Sequence, residues 1–353
     1  MHGKEARARM HRWCAMLLLC PALSGCGAGY LLQATRGQVE VLAGRRSIER
    51  VIADSRTAPE LRARLTELQQ AREFASRALG LPDNRSYRSY TELERPYVVW
   101  SVVATPEFSV EPLTWCFPVV GCVAYRGYFR EAAADRFAAG LAAKGNDVTV
   151  GGVPAYSTLG RFADPVLSTM LRSPQIDVIG TMFHELAHQV VYVPGDTAFN
   201  EAFAVTVEQI GLERWLARQA QPQQMQAWRE RQARQREAVG MLEAARADLA
   251  RIYRSPLPPA ELRSAKGERL ARLASDLQAL QERWGVRAGF NRWLEQGLNN
   301  AHLASVATYW QCVPAFERLF AAAGADLPAF YESVRRAAAR KRSSLASDVC
   351  GPR

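Results

Sequence analysis

The sequence is poor in residues that bind transition metals. Its 353 residues include 5 histidines and 7 cysteines, and no two cysteines have the CxxC spacing. Because cysteine zinc sites use such close pairs, cysteine metal ligands are not expected. The net charge of +10 comes from basic residues spread along helical stretches, without a basic cluster interleaved with aromatic residues. No nucleic-acid partner is therefore predicted, and the basic excess is interpreted as a solvated surface.

The chain begins with the pattern of an exported protein. A basic stretch precedes an apolar run from Trp13 to Leu23, which is too short to span a bilayer and is typical of a signal peptide. The run ends in Leu23-Ser24-Gly25-Cys26, which resembles the bacterial lipobox. Residues 1–25 are therefore predicted to be a lipoprotein signal peptide, with Cys26 as the lipid-anchored N-terminus. An ordinary signal peptide followed by an incidental cysteine is the alternative.

If the protein is exported, Gly27 and the remaining cysteines can be interpreted as well. By resemblance to other lipoproteins, Gly27 suggests sorting to the outer membrane, facing the periplasm. Disulfides form in such an oxidising compartment, and the four cysteines after Cys26 are an even number. A local disulfide between Cys116 and Cys122 is expected, and Cys312 would then bond Cys350 and tie the C-terminal tail to the body.

The spacing of hydrophobic residues predicts an α+β protein that is mostly helical. Residues 26–86 are expected to form N-terminal helices. Residues 87–217 are expected to form the catalytic core, with a small β-sheet followed by the helices that carry the chemistry. A polar stretch over 218–285, broken by prolines near its middle, predicts a helical hairpin, and 286–353 would add C-terminal helices that complete the core. The hairpin is either a structural arm or a lid or partner-binding arm.

The motif that carries the chemistry is His184-Glu185-Leu186-Ala187-His188. Residues four apart on a helix lie on one face, so both imidazoles can reach one Zn²⁺ while Glu185 points toward the water to be activated. The residues before the motif are apolar enough for a buried helix, in which an unligated pair of histidines would cost desolvation. The HExxH spacing therefore predicts His184 and His188 as zinc ligands and Glu185 as the general base.

A catalytic zinc site needs a third protein ligand and one open position. The run Asn200-Glu201-Ala202, with Glu208 seven residues after Glu201 on the same helix face, resembles the gluzincins, the thermolysin-like and zinc-aminopeptidase superfamily. This resemblance implies that Glu201 is the third ligand and that Asn200 and Glu208 support the ligands. The 12 residues between His188 and Glu201 require a tight turn, which the proline and glycine there permit. An exposed glutamate near a helix N-terminus is the alternative.

Further segments extend the resemblance over almost the whole mature chain. They are Trp115–Pro118, Tyr125–Phe129, Gly151–Gly160, the HELAH run and Asn299–Ala301. Together they resemble the bacterial predicted-aminopeptidase lipoprotein family. The fold that this resemblance implies is a zincin-like metallopeptidase, in which the hairpin over 218–285 is an insertion. The activity that it implies is that of a zinc metallopeptidase.

The choice between exopeptidase and endopeptidase depends on the substrate strand. Zinc-aminopeptidases bind the free α-ammonium of the substrate with acidic groups of a GxMEN-like strand, which this sequence lacks. The nearest analogue is Asp147–Leu159, whose Gly151, Gly152 and Tyr156 are predicted to lie along an extended peptide. Because the core of this segment contains no acidic residue, endopeptidase or oligopeptidase activity of the same mechanism stays open.

A hydrogen-bond donor for the oxyanion is expected near the zinc site. His302 and Tyr309 are seven residues apart, and hence on one face of a helix. Tyr309 is preferred, because gluzincins of the aminopeptidase type use a downstream tyrosine. Three other tyrosines compete for the role, namely Tyr125, Tyr128 and Tyr156.

The sequence as a whole thus predicts a Zn²⁺-dependent peptidase that acts on peptide substrates and is held at the cell envelope through its N-terminal lipid. The resemblance to the gluzincins implies that it is an aminopeptidase. A non-catalytic envelope lipoprotein with a structural zinc site is the alternative from a different class. The presence of Glu185 argues against this alternative, because a structural zinc has no use for a base.

Overall fold

The structure is a computed structural model that describes residues 27–117, 120–286 and 289–343. This part of the chain is mostly helical with small sheets, so the predicted fold class, α+β and mostly helical, is confirmed. No helix in these ranges is long and apolar enough to cross a membrane. The predicted signal peptide, Cys26 and Cys350 lie outside the described residues.

The chain divides into two compact units, and the boundary between them along the sequence lies between Gly44 and Arg45. The described part of the first unit is one helix, α1 (Gly27–Ala43). The strands of the second unit are β1 (Arg46–Ser47), β2 (Ser89–Thr91), β3 (Val99–Thr105), β4 (Trp115–Phe117), β5 (Gly121–Val123), β6 (Arg126–Tyr128), β7 (Asp147–Val153) and β8 (Val166–Leu167). Its helices are α2 (Ile48–Ala53), α3 (Pro59–Leu79), α4 (Glu131–Ala142), α5 (Gln175–Ala187), α6 (Thr197–Arg218), α7 (Pro222–Tyr253), α8 (Pro259–Trp284), α9 (Asn291–Gln296), α10 (Asn300–Trp310), α11 (Val313–Ala322) and α12 (Leu327–Ser343), with a 3₁₀ turn at Met170–Arg172.

The strands form three small sheets. The main sheet has the order β6-β3-β7 with antiparallel pairing, and its middle strand buries Trp100, Val102 and Ala104 on one face. This alternation is the period of two expected for a strand with one face on the core. A second sheet has the order β1-β2-β8, and β4 pairs with β5 as a separate hairpin. Strand β7 is therefore an edge of the main sheet.

Helices α5 and α6 form the centre of the second unit and pack against each other. Aromatic side chains join α6 to the C-terminal helices: Phe199 and Phe203 contact Phe316 of α11, with ring centroids 5.0 and 6.0 Å apart, and Phe203 also contacts Phe330 of α12 at 5.9 Å. Aromatic pairs of this kind bury large apolar area in specific geometries. The chain segment after the hairpin thus completes the core around the helices that carry the predicted ligands.

Helices α7 and α8 form a hairpin that is fixed to the body at its tip. Buried leucines line the contact between the two helices and extend to Leu303 of α10. At the tip, Lys266 Nζ lies 2.7 Å from the carboxylate of Asp147, where β7 begins, and Arg263 pairs with Glu107 at 2.6 Å. The Asp147 carboxylate also accepts a hydrogen bond from the Asn300 backbone N–H at the start of α10. These contacts favour the interpretation of the hairpin as a structural arm.

Candidate metal centre

The HExxH residues lie in the last turns of α5. The helix buries one apolar face made by Val178, Ile179, Met182, Phe183 and Leu186. His184 and His188 project from a neighbouring face, where their ring centroids are 4.9 Å apart. Their side chains are 12% and 7% exposed. Two nearly buried imidazoles are thus brought together by helical spacing alone.

The turn between the two helices is closed by Asn200. Its side-chain oxygen accepts a hydrogen bond from the Val193 backbone N–H, and its amide nitrogen donates to the Val193 carbonyl, both at 2.8 Å. Helix α6 then begins at the N-cap Asp196, whose side chain accepts from the Phe199 N–H at 3.1 Å. The contacts of Asn200 are therefore with the backbone of the turn, and through this turn it fixes the start of the helix that carries Glu201.

A disulfide-bonded hairpin supports the same turn from outside. Cys116 and Cys122 join β4 to β5, and the Gly195 N–H donates to the Val120 carbonyl at 3.0 Å. Gly121, with φ +76°, packs so closely that a Cβ there would lie 2.5 Å from the Gly195 nitrogen. Only glycine fits this contact. Cys312 is disulfide-bonded as well, while its predicted partner Cys350 lies outside the described residues.

The three predicted ligands converge. His184 Nε2 lies 3.2 Å from Glu201 Oε2, and His188 Nε2 lies 3.6 Å from the same oxygen. One ligand atom from each of the three residues lies within 4.8 Å of the others, so the group could hold a metal ion. The side chain of Glu201 is 9% exposed. A carboxylate so buried needs a positive partner, and a cation shared with both histidines provides one.

A second carboxylate stands behind the first histidine. Glu208 Oε2 lies 3.2 Å from His184 Nδ1, so the ring can donate to Glu208 and keep Nε2 free for the site. Gly180 makes room for this contact, because a Cβ there would lie 2.9 Å from Glu208 Oε1. His188 Nδ1 has no hydrogen-bond partner among the described residues. The sequence patterns did not identify Gly180. The requirement for glycine at this position becomes apparent only when α5 and α6 are packed together.

Charges in the site act strongly on one another. Burial opposes ionisation of Glu201, but His188 and His184 outweigh it and lower the pKa of this carboxyl to about 2. Burial likewise opposes protonation of His184, yet Glu201 and Glu208 raise its pKa well above the usual range. Burial raises the pKa of Glu185, which both histidines oppose. The site is thus negative enough to hold a proton or a cation between its carboxylates and imidazoles.

The predicted oxyanion donors lie in different surroundings. The Tyr309 ring centroid is 6.5 Å from that of His184, and the residue is 38% exposed, so substrate can reach it. The Glu201 carboxylate is the main cause that raises the pKa of Tyr309 well above its usual value. His302 is buried and packs against the Trp293 ring, with a centroid distance of 5.1 Å. Its Nδ1 accepts the Asn299 N–H at 3.1 Å as part of the capping box of α10. The structure thus brings Tyr309 to the histidines and gives His302 a place in the helix cap.

The competing tyrosines are distributed around the site. Tyr125 contributes to raising the pKa of Tyr309. Tyr128 is buried in the main sheet beside Phe137. Tyr156 packs on Phe129 at 5.6 Å. Tyr192, which no sequence pattern singled out, has its ring centroid 6.3 Å from that of His188, and Glu201 contributes to raising its pKa after burial.

Strand β7 covers only Asp147–Val153 of the predicted substrate segment Asp147–Leu159, so Tyr156 lies beyond the end of the strand. A Cβ on Gly152 would lie 2.1 Å from the Tyr97 ring, whereas nothing lies within 4 Å of a Cβ on Gly151. Gly152 is therefore required by packing, and Gly151 faces open space. At the start of the strand, Asn299 Nδ2 donates to the Val148 carbonyl at 3.0 Å. The edge beyond Val148 is not paired with another strand in the described ranges.

The fold and the site together define a mostly helical α+β protein with a candidate metal centre of two histidines and one glutamate. Residues 29–346 match the model of a family described as "Putative aminopeptidase", and the chain belongs to this family. Membership supports a peptidase function with a peptide as substrate. Comparison with curated proteins and with solved structures found no match.

Proposed function

We propose that the protein is a zinc-dependent peptidase. His184, His188 and Glu201 would hold one Zn²⁺, and Glu185 would act as the general base. The observation that carries this proposal is the convergence of both imidazole Nε2 atoms on one buried carboxylate oxygen, with Glu185 between the two histidines in the sequence. A structural zinc site, the alternative function, does not require a carboxylate in the position of Glu185.

The distances between the donor atoms fit zinc. Tetrahedral Zn²⁺ with bonds of about 2.0–2.1 Å holds neighbouring ligand atoms about 3.3–3.4 Å apart. The separations of 3.2 and 3.6 Å from Glu201 Oε2 to the two nitrogens bracket that value. Two imidazoles and one carboxylate are also the donor set of catalytic zinc sites that keep one position open. The donor set and its spacing therefore support zinc as the metal.

Zinc in this site would polarise the scissile carbonyl and lower the pKa of water toward about 7. Glu185 would take the proton of the attacking water and deliver it to the leaving amine. In the metal-free site burial raises the pKa of Glu185, which favours a carboxylate that can accept a proton and release it again. Tyr309 keeps its proton at neutral pH and would donate a hydrogen bond to the carbonyl oxygen as negative charge develops.

The open edge of β7 supports an extended peptide as substrate. Its backbone around Gly151 would pair with the peptide, as in other edge-strand recognition. Metal analysis of the purified protein and digestion of a peptide library would test the function directly. One zinc per chain and cleavage that a chelator abolishes are expected. Release of single N-terminal residues would identify an aminopeptidase, whereas internal cleavage would identify an endopeptidase.

We also propose that Cys26 carries a lipid that anchors the protein in the bacterial outer membrane, facing the periplasm. Two or more acyl chains anchor stably, because each buried methylene contributes about 0.8 kcal/mol. Cys26→Ser is expected to move the protein from the membrane fraction to the soluble fraction and to abolish labelling by a fatty-acid analogue. A variant that stays with the membranes, or a parent that is never labelled, would disprove the lipid anchor.

The raised pKa of His184 predicts how zinc stabilisation depends on pH. Protonated His184 stabilises the metal-free fold below its unfolded pKa of about 6.5, and this contribution is lost as the pH rises through the higher folded pKa. Zinc competes with the same proton, so zinc affinity rises with pH. The Tm difference between zinc-loaded and chelator-treated protein should therefore widen between about pH 6 and about pH 8. A difference that narrows over this range would contradict the assignment.

A further inference from the structure

Tyr87 combines two unfavourable features in one residue. Its φ of +61° lies in the left-handed region, which costs free energy for any residue with a side chain. The residue is 2% exposed, and its hydroxyl has no hydrogen-bond partner among the described residues. A buried hydroxyl without a partner also costs free energy. Strained residues of this kind cluster at functional sites. The contacts of Tyr87 therefore indicate whether its strain is related to the candidate metal centre.

The backbone that carries Tyr87 is held rigidly. Its own N–H donates to the Asp164 carbonyl at 2.6 Å. The guanidinium of Arg72, which is 1% exposed, donates to the carbonyl of Ser86 at 2.9 Å and to that of Pro82 at 2.7 Å. A buried arginine with several carbonyl partners fixes the loop before Tyr87 in one conformation. The strained backbone is therefore enforced by these contacts, and burial restricts the phenol ring.

The loop lies against the end of the helix that bears the HExxH motif. Asn84 Nδ2 donates to Gln189 Oε1 at 2.6 Å, and Gln189 Nε2 donates to Ser86 Oγ at 3.5 Å. Gln189 directly follows His188, so the segment that ends in Tyr87 is fixed to the site by direct contacts. After burial, Glu185 is the group that most strongly raises the pKa of Tyr87. Asp164, whose carbonyl accepts the Tyr87 N–H, contributes to raising the pKa of both Tyr87 and Glu185.

We propose that Tyr87 is a positioning residue for Glu185. The Tyr87 hydroxyl donates a hydrogen bond to one water molecule, and that water donates to the Glu185 carboxylate. This inference rests on the proposed function, because it gives the base of that reaction a support. An ionised carboxylate only accepts hydrogen bonds, and a phenol on a rigid backbone supplies a donor in a fixed place. In a buried site such a bond is strong and restricts the carboxylate to one orientation. The strained backbone of Tyr87 thus holds its hydroxyl where it can orient the Glu185 carboxylate.

Tyr87→Phe tests the proposal, because it removes one oxygen that has no protein partner. The Tm of the variant should stay close to that of the parent, because one hydrogen bond contributes little net stability, and its zinc content should not change. Its kcat should fall about 10-fold or more while KM stays within about two-fold, as expected for a group that acts on the base and not on substrate binding. In the Glu185→Gln background the same substitution should have no further effect on the residual rate, since both residues act as one unit. An unchanged kcat in Tyr87→Phe, or full additivity in the double variant, would overturn the proposal.

Tyr331→Phe is the matched control. Tyr331 is also buried, but its hydroxyl donates to the Leu79 carbonyl at 2.8 Å, so its loss should lower the Tm without changing kcat. If the parent cleaves no peptide, the proposed function fails, and crystal structures of parent and Tyr87→Phe then decide the positioning role. A water that joins the Tyr87 hydroxyl to Glu185 in the parent, with Glu185 reoriented in the variant, is the expected result. The absence of that water from a well-ordered parent structure would refute it.

Discussion

Glu185→Gln is expected to lower peptide turnover by at least about 10²- to 10⁴-fold, which is the usual contribution of a general base. Glutamine keeps the size of the side chain but cannot accept a proton as a carboxylate does. Glu185 is partly buried beside both histidines, and it is not one of the three residues whose ligand atoms converge. Zinc content should therefore remain at the level of the parent. Because the substitution also removes a buried charge, the Tm should not decrease.

Glu213→Gln provides the matched control for this substitution. Glu213 lies on α6 with a side chain that is 52% exposed and paired with Arg229, so its neutralisation should change neither turnover nor zinc content. Initial rates on a cleaved library peptide and zinc analysis of the same preparations provide the comparison. Turnover at the parental rate in Glu185→Gln, insensitive to chelator, would assign the activity to some other group. A parent that cleaves nothing but melts earlier without zinc would favour a structural metal site.

Much of the candidate site could be predicted, because the residue patterns that indicate it lie within short stretches of the sequence. Helical spacing alone puts His184 and His188 on one face, and the resemblance to gluzincins directs attention to Glu201 on the next helix. The same local logic accounts for the α+β class, since periods of two and of three to four residues can be read within short windows. The three candidate metal ligands were thus accessible to sequence reasoning, which needs only one turn of helix and one short connection.

Other features depend on packing between distant segments and left no local signal. The fit of Gly121 against Gly195 requires two segments more than 70 residues apart to meet, and nothing around Gly121 in the sequence indicates that contact. Tyr87 reads as the start of a small sheet, and its left-handed backbone emerges only from the carbonyl contacts of Arg72. His302 lies seven residues before Tyr309, the spacing expected for two site residues on one helix face, but its ring accepts the Asn299 N–H in the capping box of α10. The seven-residue spacing gave no indication of this contact with a residue three positions earlier.

Glu201→Ala is expected to abolish stoichiometric zinc binding. Its oxygen lies 3.2 and 3.6 Å from the two imidazole nitrogens, so its removal leaves a pair of histidines without the anionic ligand. Loss of groups that only support ligands weakens metal affinity by about 10- to 100-fold, and loss of a ligand should exceed that range. Zinc in 1,000-fold excess over its Kd stabilises a protein by about 4 kcal/mol, and this stabilisation should disappear in the variant. Calorimetric titration and thermal unfolding with and without zinc provide both measurements.

A graded series makes this assignment specific to Glu201. Glu208→Gln keeps all three ligands but weakens the contact with His184 Nδ1, so zinc affinity should fall by about 10- to 100-fold and not be lost. Glu213→Gln should bind zinc like the parent, because the Glu213 side chain is half-exposed and pairs with Arg229 of α7. If Glu201→Ala retains full zinc binding while Glu208→Gln loses it, Glu208 is the ligand instead. Glu201 contacts both histidines of the motif, Glu208 contacts one of them, and Glu213 pairs with Arg229 instead. The geometry therefore requires that zinc binding is affected in the order Glu201, Glu208, Glu213.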